Sequence, residues 1–201
     1  MSARDDVLAS VRRALGGPRG PVDVPRDYTR GRQVDDATVD LFVERVADYR
    51  AVVVRCAPDD VEAHIADALV PHAEVVLPDG FGWIVPGAVR DEDLSAADLD
   101  GLDGVVTAAT VGIAETGTIV LSHGPGEGRR ALTLVPDKHV CVVRADQVVA
   151  AVPDAVALLD PARPTTWISG PSATSDIELD RVEGVHGPRH LHVIVVDAPV
   201  G

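Results

Sequence analysis

The sequence predicts an α/β domain built on a mainly parallel, open sheet flanked by helices, with a helical arm in front. Three observations carry this reading. Val-rich runs such as Ala51 to Val54, His139 to Arg144 and His190 to Val196 are apolar through their centres, as strands covered on both faces must be. Segments with apolar residues at helical spacing alternate with these runs, clearest from Asp36 to Arg50 with Val39, Phe42, Val43 and Val46. A breaker-rich stretch, Gly16-Gly17-Pro18-Arg19-Gly20-Pro21, separates the first helical pattern from everything after it.

In chain order, residues 2–15 read as an amphipathic helix. Ser2 with Asp5 forms a capping pair, and Val7, Leu8, Val11 and Leu15 fall on one stripe. The division expected is therefore an arm and linker over residues 1–34 and an α/β domain over residues 35–201. Pro58-Asp59-Asp60 opens a helix running to about Val70, since proline and acids are favoured in a first turn. Glu74 to Leu77, Val105 to Ala109, Thr116 to Leu121 and Thr166 to Ser169 are further strand candidates, and Asp146 to Leu159 reads as helical, either continuous or broken into two pieces at Pro153.

Composition excludes several classes. The 201 residues carry 18 Lys+Arg against 32 Asp+Glu, a net charge of −14. Phosphate binding depends on basic side chains, so a nucleic-acid or anionic-membrane surface is not expected. The charge is uneven: residues 1–32 hold seven Arg and four Asp, so the acidic excess lies wholly in the rest of the chain. No run approaches the ~18 apolar residues of a membrane span. Asp5 and Asp6 stand where a signal peptide needs positive charge and an apolar core, so a cytoplasmic location is expected. Cys56 and Cys141 lie 85 positions apart without a CxxC pair. They read as small core residues, and no iron–sulfur cluster or Cys-based zinc site is expected in this chain. No spacing of His, Asp and Glu matches a metal motif, so metal ligands are expected to be absent.

Three loop segments mix Gly, Pro, hydroxyls, acids and His beside strand ends, where ligands bind in open α/β sheets. The first is Gly112 to Thr118, with Glu115 as a candidate base or nucleophile and Thr116, Gly117 and Thr118 as candidate ligand-binding residues. Its bland reading is a Glu that fixes a turn. The second is His123 to Arg130, whose glycine amides suit an anion and whose Arg129 or Arg130 would be the bidentate arm. The plain alternative is a hairpin connection. The third runs from Ser169 through Gly170, Pro171, Ser172, Thr174, Asp176 and Glu178 to His186, Gly187 and Pro188. His186 is a candidate acid–base, and the hydroxyls suit either simple capping or an anion. Glu115, Ser172, Thr174, Asp176 and His186 are expected to converge in one pocket at the carboxyl end of the sheet.

Together, Ile113 to Thr118, Leu134-Val135-Pro136-Asp137-Lys138-His139, Gly170-Pro171-Ser172 with Thr174 and Asp176-Ile177-Glu178, and Gly184-Val185-His186-Gly187-Pro188 resemble the lactate utilisation protein C family, also called the LUD domain. The resemblance runs from about Asp35 to Asp197. It implies a fold like those of glucosamine-phosphate deaminase, ribose-phosphate isomerase and CoA-transferase. It also implies a part in oxidising L-lactate to pyruvate, as a component of a multi-protein system rather than a complete enzyme. Iron–sulfur and cysteine-rich subunits would be the partners and would take the electrons, with no cofactor in this chain. The alternatives are a stand-alone enzyme of the wider fold group, acting on an acyl-CoA or sugar phosphate, and a non-catalytic scaffold. The arm has an apolar stripe that is costly to leave wet and an excess of Arg. The plain reading is that it folds back on its own core; the sharper expectation is that it docks on a partner subunit or on the acidic body of another copy.

Overall fold

The computed structural model describes residues 2–17, 20–28, 34–174, 182–183 and 186–198. Helix α1 (Ala3–Leu15) starts at Ser2, whose side chain accepts from the Asp5 amide while the Asp5 carboxylate accepts from the Ser2 amide. Arg12 and Arg13 complement the dipole in its last turn. Helix α2 (Asp36–Asp48) opens with the same device, made by Asp35 and Thr38, and buries Val39, Phe42 and Val46. Strand β1 (Val52–Cys56), a 3-10 turn at Pro58–Asp60 and helix α3 (Val61–Ala68) follow. Next come β2 (Val75–Leu77), β3 (Val89–Arg90), α4 (Ala96–Asp100) and β4 (Gly104–Ala108).

A hairpin of β5 (Val111–Ile113) and β6 (Thr118–Leu121) leads through a 3-10 turn at Arg130–Thr133 to β7 (Lys138–Arg144). The chain continues with β8 (Val148–Val149), α5 (Val152–Leu158), β9 (Thr166–Ile168), β10 (Ala173–Thr174), β11 (Val182–Glu183) and β12 (His190–Val196).

The main sheet has six strands in the order β1-β12-β7-β4-β2-β3, and every pairing in it is parallel. Strand β12 lies between β1 and β7, with Val193 opposite both Val53 and Cys141. One face is covered by α3: Val61, Ile65 and Ala68 pack with Val106, Val140, Val142 and Ile194. The other is covered by α2 together with a second sheet, where Phe42 and Val46 join Ile119, Leu121, Cys141, Val143 and Val193 in one core. That second sheet is β8-β5-β6-β9, antiparallel except for the β5 and β8 pair. Its outer side is closed by Ala155 of α5 against Val111, Ile113 and Val120.

The α/β class with a parallel sheet flanked by helices is thus what the molecule has, with a second sheet laid over one face. Two local readings change. Asp146 to Leu159 is not one helix: a 3-10 turn at Ala145–Gln147 and strand β8 come first, and α5 begins only at Val152, with Pro153 in its first turn. Tertiary pairing overrides the helical spacing here: Val148 and Val149, good strand formers, are recruited beside Gly112 and Ile113. The strand expected from Thr116 begins at Thr118, since residues 114–117 form the hairpin turn. Gly117 has φ +58, and a Cβ there would lie 2.6 Å from the Arg45 carbonyl carbon. A residue with a side chain is excluded twice over, by the left-handed backbone and by the close approach of α2.

Candidate functional site

A cavity of about 220 Å³ opens between the two sheets, a size suited to a small metabolite. Strand β9 leads into it through Ser169 and Gly170, and the 3-10 turn contributes Arg130 and Thr133. Ser172, His186 and Gly187 close one side, and His139 of β7 and Leu191 of β12 lie at the bottom. His139 and Leu191 are second residues of their strands. The cavity therefore sits over the amino ends of the central strands, not the carboxyl ends. The reason is architectural: its walls come from the second sheet and from the segment leading into β12, not from strand-to-helix loops of the main sheet.

Its polar groups are ordered by one another. The Ser172 amide donates to the Pro188 carbonyl at 2.8 Å, and the His186 amide donates to Ser172 Oγ at 2.9 Å. Arg130 donates to the Thr133 carbonyl (3.0 Å) and hydroxyl (3.2 Å) and to the His186 carbonyl (3.4 Å). Gly170, with φ +86, lets the loop pass Tyr49: a Cβ there would lie 2.5 Å from the Tyr49 Cβ. The lining combines one guanidinium with hydroxyls of Thr133, Thr166, Ser169 and Ser172, and among the described residues it contains no carboxylate. That set attracts an anion of few atoms.

Of the residues singled out by the sequence, Gly170, Pro171, Ser172, His186 and Gly187 meet at this cavity. Thr118 and Thr116 reach it indirectly: the Thr116 and Thr118 hydroxyls are 2.8 Å apart, and Thr118 Oγ1 is 2.8 Å from Ser169 Oγ. Glu115 is elsewhere. It is exposed at the hairpin turn, its amide donates to the Ala150 carbonyl, and it is not part of the lining. Gly117 serves the contact with α2. Arg129 is turned away to Asp91, with two 2.8 Å contacts and a third bond to the Leu94 carbonyl. This pairing holds the Asp91 carboxyl below its ordinary range. The arginine at the cavity is its neighbour, Arg130. Thr174 lies in β10, paired with Val182, and Asp176 and Glu178 lie outside the described residues.

The glycine-rich loop is no open anion cradle. The Gly126 amide donates to the Asp79 carbonyl, and those of Glu127 and Gly128 to the Gly124 carbonyl. Buried Glu127 pins the loop by accepting from Thr110 Oγ1 (2.7 Å) and the Ser122 amide (2.5 Å).

His139 is the residue that sequence reasoning left unassigned. It is buried, with Nε2 2.8 Å from the Thr107 hydroxyl. Burial, with the charge of Arg130 adding to it, pushes its pKa down to about 4, so the ring is neutral near pH 7. Cys141, two residues on, is buried and its thiol is pushed up to about 12 by burial. A signal was available: His139 ends the Leu134 to His139 block and is the polar residue heading the apolar run Val140 to Val143.

Comparison with known proteins places the chain. Residues 34–196 match the model of the LUD domain. The chain belongs to the LUD domain family. A relative from Deinococcus radiodurans named lactate utilization protein C is 44% identical, covering 96% of this chain and 95% of its own. An uncharacterized protein of Neisseria meningitidis serogroup B is 38% identical over 98% of this chain and 94% of its own. Among solved structures, a DUF162 family protein from Deinococcus radiodurans matches with a TM-score of 0.69 and 40% identity, over 80% of this chain and 97% of that one. The LUD domain thus spans the part of the molecule containing the six-stranded and four-stranded sheets and the cavity, and α1 precedes it.

Proposed function

We propose that this LUD domain protein works in lactate utilisation, as a cytoplasmic component of a multi-protein system that oxidises L-lactate to pyruvate. The observation that carries the reading is the cavity. A guanidinium ringed by hydroxyls, with no carboxylate among its described lining, suits a small carboxylate. Near-full-length similarity to a protein named lactate utilization protein C supports reading that carboxylate as lactate. Arg130 takes the carboxylate, Ser172 and Ser169 orient it, and His186 or His139 meets the hydroxyl end.

Oxidation of lactate releases two electrons, and we assign their acceptor to iron–sulfur and cysteine-rich partner subunits, with no cofactor resident in this chain. The cysteines support this division. Cys56 and Cys141 belong to cores on opposite faces of the main sheet, so they cannot share a cluster. Helix α1 supports a partner as well: Val7, Leu8, Val11 and Leu15 are all exposed, which is unfavourable for apolar area unless it docks.

The test is complementation. A strain lacking this chain, given Arg130→Met or Ser172→Ala, should lose growth on L-lactate at normal protein levels, while Glu115→Gln should restore it. Full growth with Arg130→Met sinks the cavity as the functional site. Capture of the tagged chain from cells grown on lactate should bring down iron–sulfur subunits, and deletion of residues 1–20 should abolish that capture. Recovery of the chain alone counts against the complex.

A further inference from the structure

Beneath the cavity, three buried polar side chains form a hydrogen-bonded line that ends on a backbone carbonyl. Thr107 of β4 and His139 and Cys141 of β7 share the sheet face that looks toward the second sheet, since Thr107 is in register with Cys141 and Val105 with His139. The end of the line is the Ala108 carbonyl, which can only accept. The Cys141 thiol lies 3.8 Å from it and donates to it. With its proton so used, Cys141 Sγ is an acceptor for the Thr107 hydroxyl at 3.7 Å. The Thr107 hydroxyl, having donated, presents a lone pair to His139 Nε2 at 2.8 Å. In this arrangement, which uses all three hydrogens, Nε2 carries the hydrogen. In a neutral imidazole the other nitrogen is bare, so Nδ1 offers a lone pair. Cys141 can act as a donor because burial keeps it a thiol, and the ring is neutral for the reason given above.

We propose that this relay locks His139 as the Nε2–H tautomer, making its Nδ1 the group that accepts a hydrogen bond from the hydroxyl of a small hydroxy carboxylate in the cavity. The assignment rests on the reading of the cavity as a carboxylate site and adds a preference to it. Arg130 serves any small carboxylate. Nδ1 separates a hydroxy acid from the matching keto acid: the first has a hydrogen to donate, whereas the second brings an oxygen lone pair against a nitrogen lone pair. The site therefore favours the reduced form of the pair. His139 is a binding residue here, while Thr107 and Cys141 are positioning residues that act through it.

The experiment uses the full chain with nitrogen-15 histidine. Long-range proton–nitrogen correlation reads the tautomer of each ring, and the His139 signals are those missing in His139→Gln and shifted in Thr107→Val. The expected result at pH 7 is a neutral ring with its hydrogen on Nε2. On titration with L-lactate the Nδ1 signal should move, and calorimetry should show L-lactate binding roughly threefold to tenfold tighter than pyruvate, the scale of one hydrogen bond. Thr107→Val removes the acceptor for Nε2–H, so the preference should shrink while pyruvate affinity holds.

A hydrogen on Nδ1 overturns the relay. Equal binding of L-lactate and pyruvate by a correctly tautomeric wild type overturns the role of Nδ1 and leaves the carboxylate site intact. Failure of both acids to bind wild type overturns the carboxylate reading and this assignment with it.

Discussion

Helices α1 and α2 are near twins in isolation and opposites in the molecule. Each has 13 residues, an acid in its first turn, arginine in its last and a reciprocal capping pair, Ser2 with Asp5 in one and Asp35 with Thr38 in the other. Yet α1 buries nothing, while α2 buries Phe42 and Val46 completely. Capping and propensity say where a helix starts and stops. Whether it stabilises the fold depends on a surface that receives its apolar stripe. For α2 that surface is the crevice between the two sheets, where Gly112 lies so close to Phe42 that a Cβ there would sit 3.0 Å from the ring.

Three measurements sharpen this contrast. The largest effect is expected at the buried stripe. Phe42→Ala should lower unfolding free energy by roughly 3–5 kcal/mol, the range for emptying an aromatic site in a core. Leu8→Ala, the same kind of truncation in α1, should stay within about 0.5 kcal/mol. Urea denaturation of both variants checks this, and equal losses would mean that α1 packs on its own body in solution.

The second concerns pH and the histidine buried beneath the cavity. In the folded chain His139 has its pKa pushed from 6.5 down to about 4 by burial, with Arg130 adding to it. The unfolded chain therefore binds a proton on this residue below pH 6.5, which the native state refuses until about pH 4. The stability tied to the neutral ring is complete above pH 6.5, fades as pH falls toward 4, and amounts to roughly 3 kcal/mol for a shift of this size. His192 is lowered in the same direction, mainly by burial. Asp91 and Asp137, held low by Arg129 and Arg189, act in a separate window below pH 3.8. Denaturation between pH 4 and 7 should show a clear slope in wild type and a much shallower one in His139→Gln. Parallel slopes would move the titration to another group.

The smallest effect is at the caps. Asp35→Ala should lower the melting temperature by a few degrees, because α2 melts with the core. Ser2→Ala should leave the melting temperature unchanged and reduce only the helical signal of α1. A shift of equal size from both would erase the distinction between the two helices.

The site shows the same division of labour. Ser172, Gly170, His186 and Gly187 were legible because glycines, hydroxyls and a histidine packed into a few residues are ill suited to strands or helices. Glu115 drew attention on the same grounds and was placed by them only at a turn. Arg129 and Arg130 are indistinguishable as neighbours in a chain. Asp91, 38 residues away, decides between them by taking Arg129. His139 was hidden by a strand pattern in which a buried polar residue looks like a strand end.

What the sequence determined alone was local and periodic: the alternation of Val-rich strands and amphipathic helices, the reciprocal caps, the proline and glycine boundaries, and hence an α/β domain behind a tethered helix. These follow from steric and hydrogen-bonding rules acting within a few residues. Tertiary structure alone decided the rest. It drew Val148 and Val149 out of a helical pattern into a second sheet, placed the cavity at the amino ends of the central strands, and aligned Thr107, His139 and Cys141 across two strands. Each outcome depends on which distant segment lies alongside, and buried polar groups take whatever partner that packing brings within reach.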